Sequence, residues 1–377
     1  MKSRKIYTIM FTLFLIFNCY NISFGEKISI VNPNKTYSYK NLTNDLKILS
    51  TKYPDLITYQ SIGKSKYDRE IWAVKVGHGE ATIFLNGAHH AREWITCNLL
   101  MYTIDEYANA YEKNTFIDGY DVHNLLDKVS IWFVPMVNPD GVTLQQFGLS
   151  SFPKEIHEKL IDLNDGNKNF KRWKANANGI DLNRQYPADW ENIKYNHSKP
   201  YYKNHKGQAP LVSKEAQALV DFTYEINPEI TVSYHSSGRI LYWHYKTKPE
   251  NLKRDKKIAT SLSKITGYRL VNPTKNPSGG GYKDWFIQTL NRPSFTIEVY
   301  PFVGENNVPA SKFNTIWDRN KSAPLYLACE GYDLWKKHTP YKNLTTNNHP
   351  YIFTECQIQI LKFTTEIMPT WMWLFHQ

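Results

Sequence analysis

The sequence predicts an α/β fold, with a largely parallel or mixed β-sheet covered by helices on both faces. Short apolar runs with strand character alternate with longer segments in which apolar residues recur at helical spacing. The 377 residues are 41% hydrophobic and 21% charged, which is ordinary for a globular protein. Because no repeat or low-complexity linker divides the chain, a single domain of about 300 residues accounts for most of it.

The predicted elements follow one another in a regular order. Residues 36–65 predict a helix and then a strand that leads into the next strand. Further strand-like runs occupy residues 70–76, 82–86, 129–134, 230–235 and 294–299. Helical patterns fill residues 93–112, 213–226, 250–266 and roughly 315–337. The polar segment 144–172 shows neither pattern and predicts a long excursion over the surface.

The first 25 residues have the pattern of an export signal. A basic MKSRK precedes the apolar run 6–17, and the small residues Ser23 and Gly25 suit cleavage after Gly25. The apolar run is shorter than the roughly 18–20 residues that span a bilayer. We therefore expect a secreted or cell-wall-associated bacterial protein, without stable membrane association after signal cleavage.

The chain is basic, with a net charge of +11 and a pI near 9.1. This charge is spread along the sequence, which has no clustered basic stripe, no zinc-finger spacing and no RNA-binding aromatic signature. Nucleic acid is therefore not expected as a partner. The charge fits a lysine-rich solvated surface or an anionic neighbourhood such as a cell wall.

Candidate metal ligands follow the strand-like run TIFLNG. His90 and Glu93 are three residues apart at the start of a helix, so their side chains can share one ion. An imidazole and a carboxylate suit zinc, but a catalytic zinc needs a third ligand and an open position. His235 is the natural third ligand because it ends another strand-like run, where sheet proteins present functional groups. A lone histidine there is more commonly a core or capping residue.

Three further segments carry candidate binding or catalytic residues. GIDLNRQYP contains Asn183 and Arg184, and a guanidinium suits a forked contact with a carboxylate. NPSGGGYKDWF is a glycine-rich loop, around Gly280, that allows close approach of a substrate backbone. PSFTIEVYP places Glu298 at the end of an apolar strand, where a carboxylate is costly. Each has a structural alternative: a surface salt bridge, a flexible turn and a solubility residue.

The order of these motifs resembles the zinc metallocarboxypeptidases. The likeness covers residues 37–338, after the signal (1–25) and a short segment (26–36), and leaves a tail (339–377) of unknown role. GAHHAREW, GIDLNR, YHSSG and NPSGGGYKDWF are most similar to the bacterial branch that includes γ-D-glutamyl-meso-diaminopimelate peptidases. The resemblance implies a mixed, mostly parallel eight-stranded twisted sheet, with the metal at the strand ends.

The resemblance also implies roles for individual residues. One zinc ion would be held by His90, Glu93 and His235, with Glu298 as the general base. Asn183 and Arg184 would hold the terminal carboxylate of a peptide substrate, and a monomer is expected. His89 is interpreted as a residue beside the ligands.

The sequence departs from the digestive enzymes of this family at two places. They carry an arginine after the tryptophan that matches Trp173, whereas Lys174 stands here. Lys174 can still supply charge to an oxyanion, and Arg92 is a candidate to share that role. Their active-site tyrosine falls near Asn276, and whether Tyr282 substitutes for it is open.

Specificity is expected to depend on Lys283, which precedes the DW pair at the floor of the family's side-chain pocket. A lysine beside an arginine clamp favours a second acidic group in the substrate, and Arg239 is expected to add positive charge at the rim. The leading substrate hypothesis is a γ-D-glutamyl-meso-diaminopimelate bond in peptidoglycan stem peptides. The alternatives are removal of C-terminal, including acidic, residues from α-linked peptides, and a catalytically dead wall-binding module. In another interpretation, Lys283 keeps its charged group in water.

Overall fold

An eight-stranded sheet forms the centre of the protein, a computed structural model in which residues 29–339 are described. Its strands are β1 (Ile57–Lys64), β2 (Glu70–Val76), β3 (Ala81–Gly87), β6 (Val129–Val134), β7 (Ile230–Ser236), β8 (Ile240–Tyr242), β9 (Arg269–Leu270) and β10 (Ser294–Val299). They are arranged in the order β1-β2-β6-β3-β7-β10-β8-β9. A separate two-stranded ribbon consists of β4 (Phe116–Ile117) and β5 (Tyr120–Asp121).

The helices connect the strands and cover the sheet. They are α1 (Tyr39–Lys52), α2 (Ile95–Glu112), α3 (Val122–Lys128), α4 (Pro139–Phe147), α5 (His157–Leu163), α6 (Lys214–Ile226), α7 (Pro249–Thr266), α8 (Tyr282–Leu290), α9 (Phe313–Asn320) and α10 (Ala323–His338). No helix in the described part of the chain is both long enough and apolar enough to cross a membrane.

The centre of the sheet is parallel and its flanks are partly antiparallel. Strands β6, β3, β7 and β10 run parallel to one another. The pairs β1–β2, β2–β6 and β8–β10 are antiparallel, whereas β8–β9 is parallel. The predicted eight-stranded α/β sheet is confirmed. Four of the seven neighbouring strand pairs are parallel, and the three antiparallel pairs lie on either side of the parallel centre.

Helices pack on both faces of the central strand β3. Phe84 points to one face, where it lies in a buried cluster with residues of α6 and α8, including Phe222 and Tyr282. Ile83 points to the opposite face and lies against Gly331 of α10. A Cβ at Gly331 would lie 2.5 Å from Ile83 Cγ2, so only glycine allows this helix to approach so closely. Burial on both faces accounts for the continuous apolar runs of the central strands.

The strand predictions agree closely with the structure, and one helix prediction was wrong. The runs at 70–76, 129–134 and 294–299 are strands with those bounds. The helix expected over about 315–337 is two helices, α9 and α10, separated at Lys321 and Ser322. Pro324 lies in the first turn of α10, where its missing N–H is harmless, but it cannot continue a preceding helix.

The segment 144–172 was wrongly expected to be irregular and superficial. It contains the end of α4, two short 3₁₀ turns and all of α5. Leu160 and Phe170 are buried in a second apolar cluster with Trp173 and Ala91. Because Ala91 belongs to the turn that follows His90, this cluster supports that turn.

Two expectations from the sequence concern residues outside those described. The export signal at 1–25 and the tail after 339 fall outside the range 29–339. Both therefore stay predictions.

Candidate active site

The turn after β3 places two polar side chains side by side. Thr96 Oγ1 accepts from the Ala88 backbone N–H at 2.8 Å and donates to the Glu93 carbonyl at 2.8 Å. The Ala91 N–H donates to the Lys174 carbonyl at 2.9 Å. These bonds hold residues 91–93 in a 3₁₀ turn that follows His90. His90 and Glu93 therefore face the same space from a rigid backbone.

Three side chains meet at the carboxyl ends of β3 and β7. His90 Nδ1 lies 2.8 Å from Glu93 Oε1, and His235 Nδ1 lies 2.9 Å from Glu93 Oε2. One ligand atom from each of the three lies within 4.8 Å of the others, and all three residues are buried. The Nε2 of His235 has no hydrogen-bond partner among the described residues.

This donor set fits a zinc ion. Two imidazole nitrogens and one carboxylate oxygen are a common catalytic zinc set that leaves a position open. Burial lowers the pKa of His235, which favours the neutral imidazole that a metal requires. Burial alone would raise the pKa of Glu93, but His90 and His235 outweigh it and hold that pKa well below its usual range. Glu93 is therefore ionised and ready to act as a ligand.

Asp181 orients His90 through the ring nitrogen Nε2. The sequence analysis did not predict this role. Its Oδ1 lies 3.2 Å from His90 Nε2, and its Oδ2 accepts from Lys174 Nζ at 2.7 Å. A hydrogen bond from Nε2–H to this carboxylate leaves His90 Nδ1 free for a metal. Burial opposes ionisation of Asp181, but Lys174 and then His90 hold its pKa well below its usual range. The signal for it in the sequence was an aspartate two residues before Asn183.

Glu298 and His235 lie beside each other on neighbouring strands. They are register partners in the parallel pair β10–β7, and Glu298 lines the cavity that opens over His90. Burial, and then the nearby Glu93 carboxylate, raise the pKa of Glu298 well above its usual range, with Lys174 opposing them. A carboxyl group that binds a proton readily beside a metal site suits general acid–base chemistry.

His89 packs beside the ligands. Its Nε2 lies 2.9 Å from the Tyr186 hydroxyl, and its ring stacks on His235 with the centroids 5.5 Å apart. It therefore supports the position of His235, as expected.

A cavity of about 470 Å³ lies next to this cluster. Such a volume is typical of small-molecule sites. Its lining includes His90, Glu298, Lys174, Asn183, Arg184 and Lys283, together with Tyr242–Tyr245, Val271–Thr274 and Pro277–Gly279. Arg184 Nη1 donates to the Lys194 carbonyl at 2.8 Å, and Asn183 Oδ1 accepts from the Tyr282 N–H at 3.1 Å. The structure thus brings His90, Glu298 and the Asn183–Arg184 pair into one cavity.

Lys283 lines the cavity but is not solvated. Only 7% of the residue is exposed, and its ammonium donates to the His244 carbonyl at 3.1 Å and to Asp284 Oδ1. The alternative in which its charged group lies in water was wrong, because the loop from Tyr242 to Tyr245 closes over it.

Four other predicted site residues do not line the cavity: Arg92, Arg239, Gly280 and Tyr282. Arg92 Nη1 donates to the Arg172 carbonyl at 2.8 Å and approaches Glu305 at 4.0 Å, and Arg92 does not line the cavity. Arg239 does not line it either; its backbone N–H donates to the Tyr300 carbonyl at 3.0 Å.

Gly280 and Tyr282 serve the packing of the glycine loop. A Cβ at Gly280 would lie 2.3 Å from Ile193 Cδ1, so this glycine accommodates a protein loop and not a substrate. Tyr282 is fully buried, and its hydroxyl lies 2.8 Å from Thr223 Oγ1. It cannot substitute for a tyrosine that closes over substrate, because it does not reach the cavity.

Three side chains that suit a metal ion, next to the buried carboxyl group of Glu298 at the strand ends, are typical of a metal-dependent hydrolase. The family described as zinc carboxypeptidase matches residues 42–323, and the chain belongs to that family. The protein is therefore an enzyme, a zinc metallocarboxypeptidase, as its motifs predicted.

Two proteins of similar sequence and one solved structure of the same fold resemble this chain. Gamma-D-glutamyl-L-diamino acid endopeptidase 1 of Lysinibacillus sphaericus is 37% identical over 292 residues, which are 76% of this chain and 71% of that protein. Uncharacterized protein YqgT of Bacillus subtilis (strain 168) is 31% identical over 294 residues, 77% of this chain and 76% of that protein. The crystal structure of thrombin activatable fibrinolysis inhibitor shares the fold, with a TM-score of 0.65, 17% identity and coverage of 83% of this chain and 79% of that chain.

Proposed function

We propose that this enzyme is exported and hydrolyses the bond between a γ-D-glutamyl residue and meso-diaminopimelate in cell-wall peptides. The observation that carries this substrate is the likeness to the endopeptidase of L. sphaericus, whose name specifies a γ-D-glutamyl bond to a diamino acid. The basic composition and the signal-like residues 1–25 support action at an anionic wall.

His90, Glu93 and His235 would hold the zinc ion. A bound zinc supplies a Lewis acid, which polarises a carbonyl and lowers the pKa of water at the site. Glu298 accepts a proton from the water that attacks the scissile carbonyl. It then passes that proton to the leaving amine, so the same carboxyl group acts as base and acid. Its raised pKa suits the second step.

Positive charge in the cavity positions the substrate and stabilises developing charge. Arg184 and Asn183 bind the carboxylate on the carbon next to the leaving amine, and so select the C-terminal side of the bond. Lys174 contributes positive charge toward the oxyanion while it is held by Asp181 at 2.7 Å and by Asn204 Oδ1 at 3.3 Å. Arg92 takes no part in this, because it does not line the cavity.

A second candidate is a broad metallocarboxypeptidase that removes C-terminal, including acidic, residues from α-linked peptides. The observation that favours it is the Asn183–Arg184 pair in the cavity, which suits the terminal carboxylate of either kind of peptide.

The test is hydrolysis of L-Ala-γ-D-Glu-meso-diaminopimelate beside blocked α-peptides ending in phenylalanine, glutamate or lysine. The zinc-loaded enzyme is expected to release diaminopimelate, and Glu298→Gln serves as the blank. Cleavage of only the α-peptides would replace this function with the second candidate. If zinc is bound and neither type of peptide is cleaved, both candidates fail.

A further inference from the structure

Five buried polar atoms of four residues near the metal cluster have no hydrogen-bond partner among the residues that the structure describes. They are His235 Nε2, His89 Nδ1, Ser233 Oγ and both Oδ1 and Nδ2 of Asn86. All four residues are at most 1% exposed. A buried polar group without a partner is costly, so nearly all such groups in native proteins bond to protein atoms or to ordered water. Several of them together indicate a bound molecule that supplies hydrogen bonds.

The strand pairing brings these side chains to one face of the sheet. Asn86 of β3 and Ser233 of β7 are register partners in a parallel pair, so their side chains point to the same face. His235 follows Ser233 by two residues on β7 and shares that face. The His89 ring stacks on the His235 ring, with the centroids 5.5 Å apart. The four side chains therefore border one space inside the protein.

Aromatic rings cover this face of the sheet. Phe84 precedes Asn86 by two residues and points to the same face, and its ring centroid lies 6.1 Å from that of Tyr282. The Tyr282 ring also lies 6.2 Å from the His89 ring, while its hydroxyl is bonded to Thr223. A charged molecule would be costly in such surroundings. The space suits a small neutral molecule that both donates and accepts hydrogen bonds.

The His235 ring presents one nitrogen to the metal cluster and keeps the other away from it. Nδ1 lies 2.9 Å from Glu93 Oε2 and 3.2 Å from His90 Nδ1, so Nδ1 is the atom placed to bind a metal. A neutral imidazole that ligates through Nδ1 carries its proton on Nε2. For His90 that second nitrogen lies 3.2 Å from Asp181. No described residue accepts from His235 Nε2 in the same way.

A polar row connects this space with the cavity. Thr296 of β10 is the register partner of Ser233 on the side opposite to Asn86, and Thr296 lines the cavity. The row Asn86, Ser233, Thr296 thus crosses three neighbouring strands and gives water a polar route inward. A buried water typically makes about three hydrogen bonds to groups that lack other partners. Asn86, Ser233 and His235 supply that number.

We propose that Asn86, Ser233 and His235 form an internal water site that positions His235 for metal binding. His235 Nε2–H donates to the water, and the water donates to Ser233 Oγ and to the Asn86 amide oxygen. A fixed partner at the second nitrogen sets the tautomer and orientation of a ligating histidine. Asn86 and Ser233 are thus positioning residues, which act on the metal through His235. This inference goes beyond the proposed function, because it holds for either class of peptide substrate.

Zinc affinity of three variants tests the positioning role. Asn86→Leu and Ser233→Ala each remove a group that holds the water, so we expect zinc to bind about tenfold more weakly or worse. Asn86→Asp keeps an oxygen that accepts from the water and should retain the wild-type affinity. Competition with a chromogenic chelator measures all three. A loss in Asn86→Asp as large as that in Asn86→Leu would contradict a role for this oxygen.

Two matched controls separate positioning from general stability. Asn320 and Ser130 are also 1% exposed, but their side chains bond to Tyr268 Oη at 2.9 Å and to the Gly79 carbonyl at 2.6 Å. Neither residue lines the cavity. Asn320→Leu and Ser130→Ala should lower the denaturation midpoint and leave zinc affinity unchanged. If they weaken zinc binding as much as Asn86→Leu and Ser233→Ala do, the specific role is overturned.

Unfolding of the metal-free Ser233→Ala variant shows whether the Ser233 hydroxyl has a partner. Removal of an unpaired buried hydroxyl relieves a desolvation cost, whereas removal of one that is bonded to water loses a hydrogen bond. We therefore expect the denaturation midpoint to fall below that of the metal-free wild type. A higher midpoint together with unchanged zinc affinity would overturn the water site.

A high-resolution crystal structure of the zinc-loaded enzyme tests the site directly. We expect one water within about 2.7–3.2 Å of Ser233 Oγ, His235 Nε2 and the Asn86 amide. A direct hydrogen bond between Asn86 and His235, or the lack of a water at these atoms, would overturn it. None of these measurements uses a peptide substrate. Failure of the proposed γ-glutamyl hydrolysis would therefore leave this inference standing, and the reverse also holds.

Discussion

Glu298 and His235 lie directly opposite each other on the adjacent parallel strands β10 and β7. The strand pairing thus sets, through backbone hydrogen bonds, the distance between a proposed metal ligand and the proposed general base. This arrangement makes the base rigid, because neither side chain depends on a loop for its position.

Replacing Glu298 with glutamine should stop hydrolysis without loss of the metal. Loss of a general base lowers kcat by about 10²–10⁴-fold, because the attacking water keeps its proton. Glu93→Gln is the matched control, since the same change at a ligand should release zinc as well. Metal content and kcat, measured on both variants, distinguish the two roles. Loss of zinc from the Glu298→Gln enzyme would identify Glu298 as a metal ligand instead of a base.

Asp181→Asn should weaken zinc binding. The variant keeps the shape of the side chain but removes the charge that orients His90, and loss of such a partner lowers metal affinity about 10–100-fold. Competition with a chromogenic chelator measures the affinity. Asp189→Asn breaks another aspartate–lysine pair, at 2.7 Å, away from the ligands and should leave the affinity unchanged. Equal effects of the two variants would exclude a specific role for Asp181.

Arg184→Met should abolish the requirement for a free carboxylate. Charged hydrogen bonds of this kind contribute about 1.5–3 kcal/mol, so kcat/KM should fall about 10–150-fold on a substrate with the carboxylate. The rate on the matching amide should barely change. Lys194→Met is the control, because the Lys194 ammonium donates to the Asn276 carbonyl at 2.6 Å and does not line the cavity. An undiminished preference for the carboxylate in Arg184→Met would contradict the clamp.

Glu215 should make stability depend on pH. Burial raises the pKa of this carboxyl in α6 to about 7 from 4.5, and its close partner is Asn176 Nδ2 at 3.3 Å. Above pH 4.5 the unfolded chain releases this proton while the folded protein retains it. The favourable contribution, complete below pH 4.5, is therefore lost as the pH rises through about 7.

The Glu215→Gln variant measures this effect directly. The free energy of unfolding of the wild type minus that of the variant should fall by about 3 kcal/mol between pH 4.5 and 8. Glu225→Gln, at an exposed position of the same helix, should give a flat difference. Denaturant unfolding at several pH values provides the data. A difference in unfolding free energy between wild type and Glu215→Gln that does not change with pH would contradict the raised pKa of Glu215.

The central strands and the cluster of His90, Glu93 and His235 were predictable from the sequence. Strands buried on both faces have continuous apolar sequences, and the polar residues of the cluster lie where those sequences end. The second apolar cluster around Trp173 was not predictable, because its apolar residues are scattered among polar ones without a helical or strand period. The break between α9 and α10 had a signal in Pro324 that the helical pattern masked.

The sequence by itself determined the class of chemistry: two imidazoles, a carboxylate ligand and Glu298, each carried by a local motif. Only the tertiary structure decided which of the charged residues work together. Arg92, Arg239 and Tyr282 carry suitable groups but do not line the cavity, whereas Asp181 pairs with His90 from a distant segment. The physical reason is that side-chain direction and burial depend on contacts between distant segments, and local spacing does not encode these contacts.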